Sequence, residues 1–338
     1  MSAQYRALLL LPLLLASCME TPMGVTPSNP RIEDFLTVWE EFEEFYPEFP
    51  IKGMNWEQSY GRYLPAAEAA ATPDEMMLEV ILPMLAELQD CHVWLSSPGK
   101  DFYYTYEPEI DENYDIEVLL YNYLYPNDFT GWSGGVGYCP PDRLPYLSIN
   151  VWLEDLNMDR IDEFVGMLPQ GCPGIIIDVR MNPGGNNMLC QEVAGRFAQE
   201  TVLSWMARSR SGPDYDDCDY YDVSTTPAGP LQFDGTVLLL IGEYCASSTE
   251  DFICSMMNLP NVVMLGDTTI GAGCCPYWVE LTNRWQFTAV SWSTRTADNQ
   301  PVEWLGIAPD ICVEATEEQF GQGIDPVLDY AIAMLKAR

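Results

Sequence analysis

Apolar residues follow a helical spacing in the first part of the chain. Between residues 31 and 98 they recur at every third or fourth position with glutamates between them, which predicts amphipathic helices. The first stripe consists of Ile32, Phe35, Leu36, Trp39, Phe42, Phe45 and Tyr46. A second helix is predicted to begin at Thr72, with Pro73 in its first turn and Glu75 closing a capping box. This helix is predicted to end near Gln89.

After residue 145 the apolar positions form short continuous runs that alternate with helical patterns. The predicted strands are 146–153, 174–179, 236–242 and 261–265, and the predicted helices are 158–168, 187–199, 248–258 and a last one from Pro326 to Leu335, capped by Asp325. Continuous apolar strands indicate a sheet that is covered on both faces, so the chain is predicted to be an α/β protein. The aromatic and acidic segment 98–145 is predicted to contain short strands and loops.

The charge of the chain limits its partners. The 338 residues include 15 Lys+Arg and 51 Asp+Glu, which gives a formal net charge of −36. Such a surface repels nucleic acid and anionic membranes, so no nucleic acid partner is expected. Acidic residues are densest at 107–115 and 214–222. Both runs are predicted to be solvated loops, because neither has the ligand spacing of an EF-hand loop.

The first 18 residues, MSAQYRALLLLPLLLASC, have the order of a secretory signal: one arginine, then an apolar stretch that is short for a membrane span. Their ending Leu-Ala-Ser-Cys resembles a bacterial lipobox, in which Cys18 is lipidated and becomes the mature N-terminus. An ordinary signal peptide with a chance cysteine is the alternative. We therefore expect a signal peptide at 1–17, a flexible tether at 18–30, and a lipid anchor to the bacterial cell envelope.

Export would place the remaining cysteines in an oxidising compartment, where they are predicted to form disulfides of undetermined pairing. They are Cys91, Cys139, Cys172, Cys190, Cys218, Cys245, Cys254, Cys274, Cys275 and Cys312. A zinc site is not expected, because His92 is the only histidine and no paired Cys-x-x-Cys spacing occurs.

One apparent catalytic motif does not have the required surroundings. GWSGG (131–135) matches the G-x-S-x-G nucleophile elbow, which needs a strand before the serine and a helix after it. Here Pro140 and Pro141 follow without a helical pattern, and no histidine lies downstream. The segment is predicted to be a glycine-rich turn.

Two other segments place polar groups at strand ends. In IIIDVRMNPGGNN (175–187) a buried strand leads into Gly184 and Gly185, whose N–H groups could hold an anion or merely form a tight turn. In LLLIGEYCASSTEDF (238–252) a second buried strand leads to Ser247 and Ser248 at a helix start, where a serine often acts only as a cap.

Five segments, taken in order, resemble the C-terminal processing protease and tricorn-core serine peptidase superfamily. LQDCHVWL is similar to its L-x-D-x-H-x segment, IIIDVRMNPGG to D-x-R-x-N-P-G-G, CASSTEDF to S-A-x-E, VVMLGDTTIGAG to G-x-x-T-x-G-x-G, and EWLGIAPDICV to G-x-x-P-D-x-x-V. FYPEFPIKGMNWEQSY (45–60) also resembles the N-terminal helical segment of secreted members. The similarity extends from about residue 32 to residue 336.

The resemblance implies a crotonase-like (ClpP-like) core of stacked ββα units at 99–338 and an N-terminal helical subdomain at 31–98. The superfamily activates its serine with either lysine or histidine. Ala272 stands where the lysine of the Ser-Lys branch belongs, and Lys52, Lys100 and Lys336 lie far from these motifs in the sequence. The Ser-Lys mechanism is therefore excluded on this reading, and a Ser-His-Glu mechanism is expected.

The same resemblance assigns the roles. Ser247 is the nucleophile, His92 the general base and Glu303 the group that orients the imidazole. The N–H groups of Gly184 or Gly185 and of Ser248 form the oxyanion hole. Peptides or unfolded proteins are the expected substrates, without a metal or other cofactor. The interval between His92 and Asp178 is too short for the PDZ module that many processing proteases contain.

Two other functions remain open at the level of sequence. A non-catalytic binding lipoprotein could retain the fold and use the aromatic-rich region 103–125 to line a pocket. A cysteine-dependent hydrolase could use Cys245, two residues before Ser247, with His92 as its base.

Overall fold

The computed structural model describes residues 30–124, 133–139, 143–168 and 172–337. The predicted signal peptide, Cys18 and nearly all of the predicted tether lie outside these residues. The helices are α1 (Pro30–Phe45), α2 (Phe49–Lys52), α3 (Trp56–Ala69), α4 (Pro73–Glu75), which continues as a π-helix (Met76–Ile81) into α5 (Leu82–Ala86), α6 (Ile116–Val118), which continues as a second π-helix (Leu119–Tyr123), α7 (Met158–Met167), α8 (Asn187–Ala194), α9 (Ser248–Met257), α10 (Glu317–Gly321) and α11 (Pro326–Lys336). None of the described helices is long and apolar enough to cross a membrane.

The strands form two sheets. They are β1 (Trp94–Ser96), β2 (Phe102–Tyr104), β3 (Gly134–Cys139), β4 (Leu144–Ile149), β5 (Gly174–Asp178), β6 (Val202–Arg210), β7 (Cys218–Thr225), β8 (Thr236–Ile241), β9 (Val262–Gly266), β10 (Cys274–Glu280), β11 (Gln286–Thr296) and β12 (Ile311–Cys312). The first sheet has the order β12-β9-β8-β5-β4-β3 and is parallel except for β3. The second sheet is antiparallel, with the order β2-β1-β11-β6-β7 and with β10 also paired to β11.

Both faces of the parallel sheet are covered, as its continuous apolar strands predict. Every residue of β5 is buried. Ile175 and Ile177 belong to the core that includes residues of α7, α8 and α9, whereas Ile176 belongs to the core on the other face, which includes α11. The mixed α/β fold class is therefore confirmed, and the strands that end at Asp178 and Ile241 carry both predicted glycine and serine turns to one end of the sheet.

The N-terminal helices cover the antiparallel sheet, which the apolar pattern alone does not reveal. Phe42 of α1 lies with its ring centroid 6.1 Å from that of Phe287 in β11 and 5.8 Å from that of Trp56 in α3. These rings belong to one core that spans both helices and strands. The predicted boundary at residue 98 stays a prediction, and β1, just before it, pairs with β11.

The helix that leads to His92 begins as predicted and ends earlier. Thr72 accepts a hydrogen bond from the Glu75 N–H (3.1 Å), and the Glu75 carboxylate accepts from the Ala71 N–H (2.7 Å) rather than from Thr72. The helical run ends at Ala86, three residues before the predicted end. Gln89 has a φ of +47°, which reverses the chain and delivers residues 90–92 to the start of β1.

Three predictions for irregular segments are wrong in part. The acidic run 214–222 is not a loop throughout, because Cys218 begins β7, an edge strand whose aromatic and β-branched residues favour extended backbone while its charged side chains face solvent. Gly134 and Gly135 lie in β3 rather than in a turn; a Cβ at Gly134 would be 2.5 Å from the Ser148 carbonyl oxygen of β4. Segment 98–145 also contains a helical stretch at 116–123.

The expected disulfides do not form in this structure. All ten cysteines among the described residues are unpaired. Five of them are fully or nearly fully buried: Cys139, Cys190, Cys245, Cys254 and Cys274. Cys91 is half-buried.

Candidate active site

A cleft of about 680 Å³ opens where the turns after β5 and β8 meet the antiparallel sheet. The candidate residues Ser247, Ser248, Gly185 and His92 all line it. The opposite wall is formed by residues 272–276, together with Trp292 and Thr294 of β11. Four sequence-predicted groups from three distant segments are thus brought to one cavity.

Ser247 lies in a strained turn between β8 and α9. Its φ of +57° and ψ of −127° are unusual for a residue with a side chain and cost about 1–3 kcal/mol. The Glu250 carboxylate holds this turn by accepting hydrogen bonds from the N–H groups of Ser247 (3.2 Å), Gly271 (2.9 Å) and Ala272 (2.8 Å) and from the Thr269 hydroxyl (2.5 Å). The T-x-G segment therefore supports the serine turn rather than supplying a base.

Burial dominates the electrostatics of that carboxylate. It raises the pKa of Glu250 to about 7, although the hydrogen bonds from Thr269, Gly271 and Ala272 act in the opposite direction. The neighbouring Asp251, which lines the cleft and accepts a hydrogen bond from the Thr294 hydroxyl (2.7 Å), also has its pKa raised to about 7 by burial.

The two glycines of the NPGG turn differ in what their N–H groups can do. The Gly184 N–H donates to the Asn182 side-chain oxygen (2.9 Å) and is therefore occupied. Within the described residues, no acceptor lies at the N–H of Gly185 or of Ser248, and both residues line the cleft. The Ser248 hydroxyl donates to the Gly185 carbonyl (2.8 Å), which fixes these two residues relative to each other. The geometry thus favours Gly185 over Gly184 as an oxyanion donor.

Both positions require glycine. Gly184 has a φ of +115° and Gly185 a φ of +135°. A Cβ on Gly184 would lie 2.8 Å from the Ser247 Cβ, and one on Gly185 would collide with the Trp152 carbonyl oxygen. The paired glycines allow the turn to pass directly beside the serine.

His92 is held through its backbone. Its N–H donates to Asp90 Oδ1 (2.8 Å), and its carbonyl oxygen accepts from the Thr288 hydroxyl of β11 (2.6 Å). Burial lowers the pKa of the imidazole, while the carboxylate of Asp90 partly opposes this effect. His92 Nδ1 is buried and, among the described residues, has no hydrogen-bond partner. The neutral ring is therefore able to accept a proton.

Glu303 lies in the same buried group of charges but does not hydrogen-bond to His92. Its Oε1 accepts from the Lys52 ammonium (2.6 Å), and within the described residues its Oε2 is buried without a partner. Burial, and then the charge of Asp90, raise the pKa of Glu303. The structure thus brings Ser247 and His92 to one cleft, but the expected hydrogen bond between His92 and Glu303 is not formed in it.

Lys52 is a residue of this site that sequence reasoning missed. The side chain is 1% exposed, and its ammonium contacts Glu303, the Leu88 carbonyl oxygen (2.9 Å) and Asp90 (3.9 Å). The expectation that no lysine lies near the motifs is therefore wrong, because Lys52, although distant in the sequence, contacts Glu303 in the folded protein. Burial alone would lower the pKa of Lys52, but Asp90 and Glu303 raise it above its usual value. The amine is therefore protonated and cannot act as a base. The position of Lys52 within IKGMNW, part of the segment that resembles secreted members of the superfamily, was the sequence feature that could have pointed to it.

One described cluster has the spacing of a cation site. Ligand atoms of Asp90, Cys274 and Glu303 lie within 4.8 Å of one another. The Lys52 ammonium already contacts both carboxylates there, so we assign no metal to this cluster.

The thiol of Cys245 is poorly placed to be a nucleophile. It is fully buried, is not among the residues that line the cleft, and contacts the Val179 carbonyl oxygen (3.2 Å). Burial raises its pKa, so the reactive thiolate is disfavoured. Cys91 does line the cleft, but burial raises its pKa to about 12.

The D-x-R pair of the IIIDVRMNPGG segment, Asp178 and Arg180, stabilises the fold. The Arg180 guanidinium binds Asp178 (2.7 Å) and, through two further bonds of 2.7 and 2.9 Å, Asp325 at the start of α11. Arg180 also donates to the Asn113 carbonyl oxygen (2.8 Å). This fully buried network joins the turn after β5 to the C-terminal helix.

Comparison with known proteins points to one family. Residues 143–313 match peptidase family S41, and residues 27–86 match the Tricorn protease C1 domain. The carboxyl-terminal-processing protease of Synechocystis is 23% identical over 192 residues, which are 56% of this chain and 41% of that protein. The tricorn protease of Thermoplasma acidophilum is 25% identical over 191 residues, which are 55% of this chain and 16% of that protein. The matches thus cover less than half the length of either relative.

A solved structure shows the same architecture along nearly the whole chain. The crystal structure of a proposed peptidase from Parabacteroides merdae superimposes with a TM-score of 0.79 at 26% identity. The match covers 91% of this chain and 97% of that one.

Proposed function

Because the chain belongs to peptidase family S41, we propose that it is a serine endopeptidase that hydrolyses peptide bonds through an acyl-enzyme intermediate. Ser247 is the nucleophile, His92 the general base and Glu303 the carboxylate that orients the ring. The observation that carries the proposal is the cleft itself: a serine in a strained helix-start turn and the only histidine of the chain line the same cavity.

The proposed steps use only groups of the chain and water. The Ser247 hydroxyl attacks the substrate carbonyl carbon while His92 takes its proton, and the oxygen that becomes negative is bound by the N–H groups of Gly185 and Ser248. Each such donor contributes roughly 3 kcal/mol to the transition state. His92 then gives the proton to the departing amine, and water repeats the sequence to release the acyl group.

His92 and Glu303 each have an unpaired polar atom that could form the hydrogen bond these roles require. Nδ1 of the neutral ring can donate a hydrogen bond, Oε2 of Glu303 can accept one, and both atoms are buried and unsatisfied in the described structure. An unpaired buried polar atom costs about 1–3 kcal/mol, so a hydrogen bond between these atoms would stabilise the site. Catalytic hydrogen bonds commonly tighten when substrate binds.

The proposal extends to substrate and location. Peptides or unfolded proteins are the substrates, and the strongly acidic surface disfavours acidic ones. Lipidation at Cys18 anchors the enzyme in the bacterial cell envelope.

One observation favours a binding protein as the second candidate. An aromatic cluster adjoins the cleft: Trp94, which lines it, has its ring centroid 6.1 Å from that of Tyr104 and 6.3 Å from that of Trp278. Tyr104 and Trp278 are 53% and 46% exposed, so they offer an apolar surface to a ligand.

The test uses protein that begins after Cys18, incubated with a peptide mixture and analysed by mass spectrometry. We expect new peptide ends with the wild type and with Ser291→Ala, an exposed-serine control, and none with Ser247→Ala. Loss of cutting in Cys245→Ala but not in Ser247→Ala would move the nucleophile to the thiol. No cutting by any well-folded variant would favour the binding protein.

A further inference from the structure

The Lys52 ammonium binds one oxygen of the Glu303 carboxylate and leaves the other oxygen without a partner in the described structure. It contacts Oε1 at 2.6 Å, while Oε2 stays unbonded in the described structure. The two residues are 251 positions apart, and both side chains are almost completely buried. The short helix α2, which ends at Lys52, therefore delivers a single charge to the far side of the site.

Lys52 is also fixed by groups other than Glu303. The Leu88 carbonyl oxygen accepts from it at 2.9 Å, and its ammonium lies 5.5 Å from the ring centroid of Tyr46 and 5.4 Å from that of Trp304. These contacts restrict a side chain that is otherwise flexible. Such a fixed charge can orient a partner.

The charges around Glu303 shift its pKa in opposite directions. Burial, Asp90 and Glu48 all raise the pKa of Glu303, and Lys52 lowers it both by its charge and by its hydrogen bond. The groups that act on this cluster from neighbouring elements are Tyr46, Glu48, Asp90, Cys91, His92 and Cys274. Among the charged groups that the structure describes around Glu303, Lys52 alone favours the carboxylate form.

We propose that Lys52 is a positioning residue of this peptidase: its buried ammonium binds Oε1 of Glu303, favours the carboxylate form and orients Glu303 as the partner of His92. The inference rests on the proposed function. It assigns to the short helix α2 an indirect part in the chemistry, although no residue of α2 lines the cleft.

If Lys52 and Glu303 formed only a structural ion pair, the expected effects of substituting Lys52 would be different. Replacing a buried pair by apolar groups is often neutral for stability, so packing alone does not require a lysine here. If Lys52 acts through Glu303, its removal leaves a carboxyl group whose surroundings all favour the protonated form. The lower limb of the pH profile, to which the ionisations of His92 and Glu303 both contribute, then moves to higher pH, because Lys52 lowers the pKa of both groups.

The first measurement is the pH dependence of kcat for the wild type, Lys52→Met, Lys52→Arg and the exposed-lysine control Lys100→Met. For Lys52→Met we expect a loss of roughly 100-fold at pH 7, the cost of a misplaced catalytic group, with KM nearly unchanged. We expect its lower limb to rise by at least about one pH unit, with activity recovering at high pH. Lys52→Arg recovers most of the activity, and Lys100→Met behaves as the wild type.

A double-mutant cycle protects the test against misfolding of Lys52→Met, which leaves Glu303 buried without a counter-charge. Lys52→Met combined with Glu303→Gln removes both charges and is compared with Glu303→Gln alone. Equal residual activity in these two variants supports action through Glu303. A further loss in the double variant, or an unshifted pH limb in a folded Lys52→Met, overturns the proposal. An inactive wild type would instead overturn the proposed function.

Discussion

The two sides of the cleft are built in different ways. The serine side comprises residues 182–185, 247–250 and 269–272, three turns at one end of the parallel sheet. Hydrogen bonds within a turn join residues two or three positions apart, and those between turns join residues 21 or 63 positions apart. The histidine side comprises Lys52, Asp90, His92 and Glu303. It is held by contacts between residues that are far apart in the chain: Lys52 and Glu303 are separated by 251 positions, and His92 and Thr288 by 196. Backbone geometry dominates the first side, and buried charge dominates the second.

This difference explains how each side tolerates change. A turn that depends on φ angles and close backbone approach fails when a single Cβ is added. A cluster of buried charges fails when one member loses its counter-charge. Substitutions on the two sides should therefore have different effects on activity and stability.

The largest effect is expected on the serine side from Gly184→Ala. The added Cβ lies 2.8 Å from the Ser247 Cβ at a φ of +115°, so the turn must move away from the nucleophile. We expect kcat to fall on the order of 1,000-fold, comparable to loss of an oxyanion donor. Steady-state kinetics provide the measurement. Gly61→Ala, within α3 with open space around the new Cβ, is the control and stabilises the fold by about 0.5–1 kcal/mol. Retained activity in Gly184→Ala would refute the backbone account.

Arg180→Met tests whether the buried charges of Asp178, Arg180 and Asp325, which lie next to the serine side in the chain or contact it through Arg180, only stabilise the fold. The change leaves Asp178 and Asp325 buried without their cation, so we expect the free energy of unfolding to fall by about 3–5 kcal/mol. In contrast to Lys52→Met, the folded protein should keep its kcat and pH profile. Urea unfolding and kinetics together check this. Arg160→Met removes an exposed pair with Glu163 and should cost under about 1 kcal/mol. A shifted pH profile in Arg180→Met would erase the distinction between the two sides.

The smallest net effect is expected in the pH dependence of stability. Burial raises the pKa of Glu250 and Asp251 to about 7, above the values of about 4 in an unfolded chain. Their contribution to stability is therefore complete below pH 4 and is lost as the pH rises through about 7. For Asp90 burial raises the pKa, but Lys52 and His92 outweigh it, so the lowered pKa of Asp90 has the opposite effect on stability.

Urea unfolding at pH 5.5 and pH 8 measures this balance. We expect a smaller loss between these pH values in Asp251→Asn than in the wild type. The exposed Asp159→Asn serves as the control and should match the wild type. An unchanged pH dependence in Asp251→Asn would show that Asp251 does not carry the effect.

The serine side could be read from the sequence because its groups are neighbours in short motifs. Apolar runs located β5 and β8, and the glycines and serines that follow them in the chain reach the same end of the sheet. The choice between Gly184 and Gly185 could not be read, because it depends on the hydrogen bond from Gly184 to Asn182.

The histidine side was only partly readable. His92 and Glu303 were found by resemblance, but the contact of Lys52 with Glu303 depends on how α2 packs against a loop 251 residues away. The antiparallel sheet was missed for a related reason. Strands such as β6 mix buried and half-buried polar residues, so they lack the continuous apolar run of a parallel strand.

His92 is the only imidazole in the protein. Isotope labelling at one ring position of histidine would therefore give one imidazole resonance, which needs no residue assignment and reports from the wall of the cleft. A titration curve, an inhibitor adduct or a change at a distant residue could each be followed as the shift of that one signal. Because the protein contains a single histidine, His92 can serve as a spectroscopic probe of the site without any mutation.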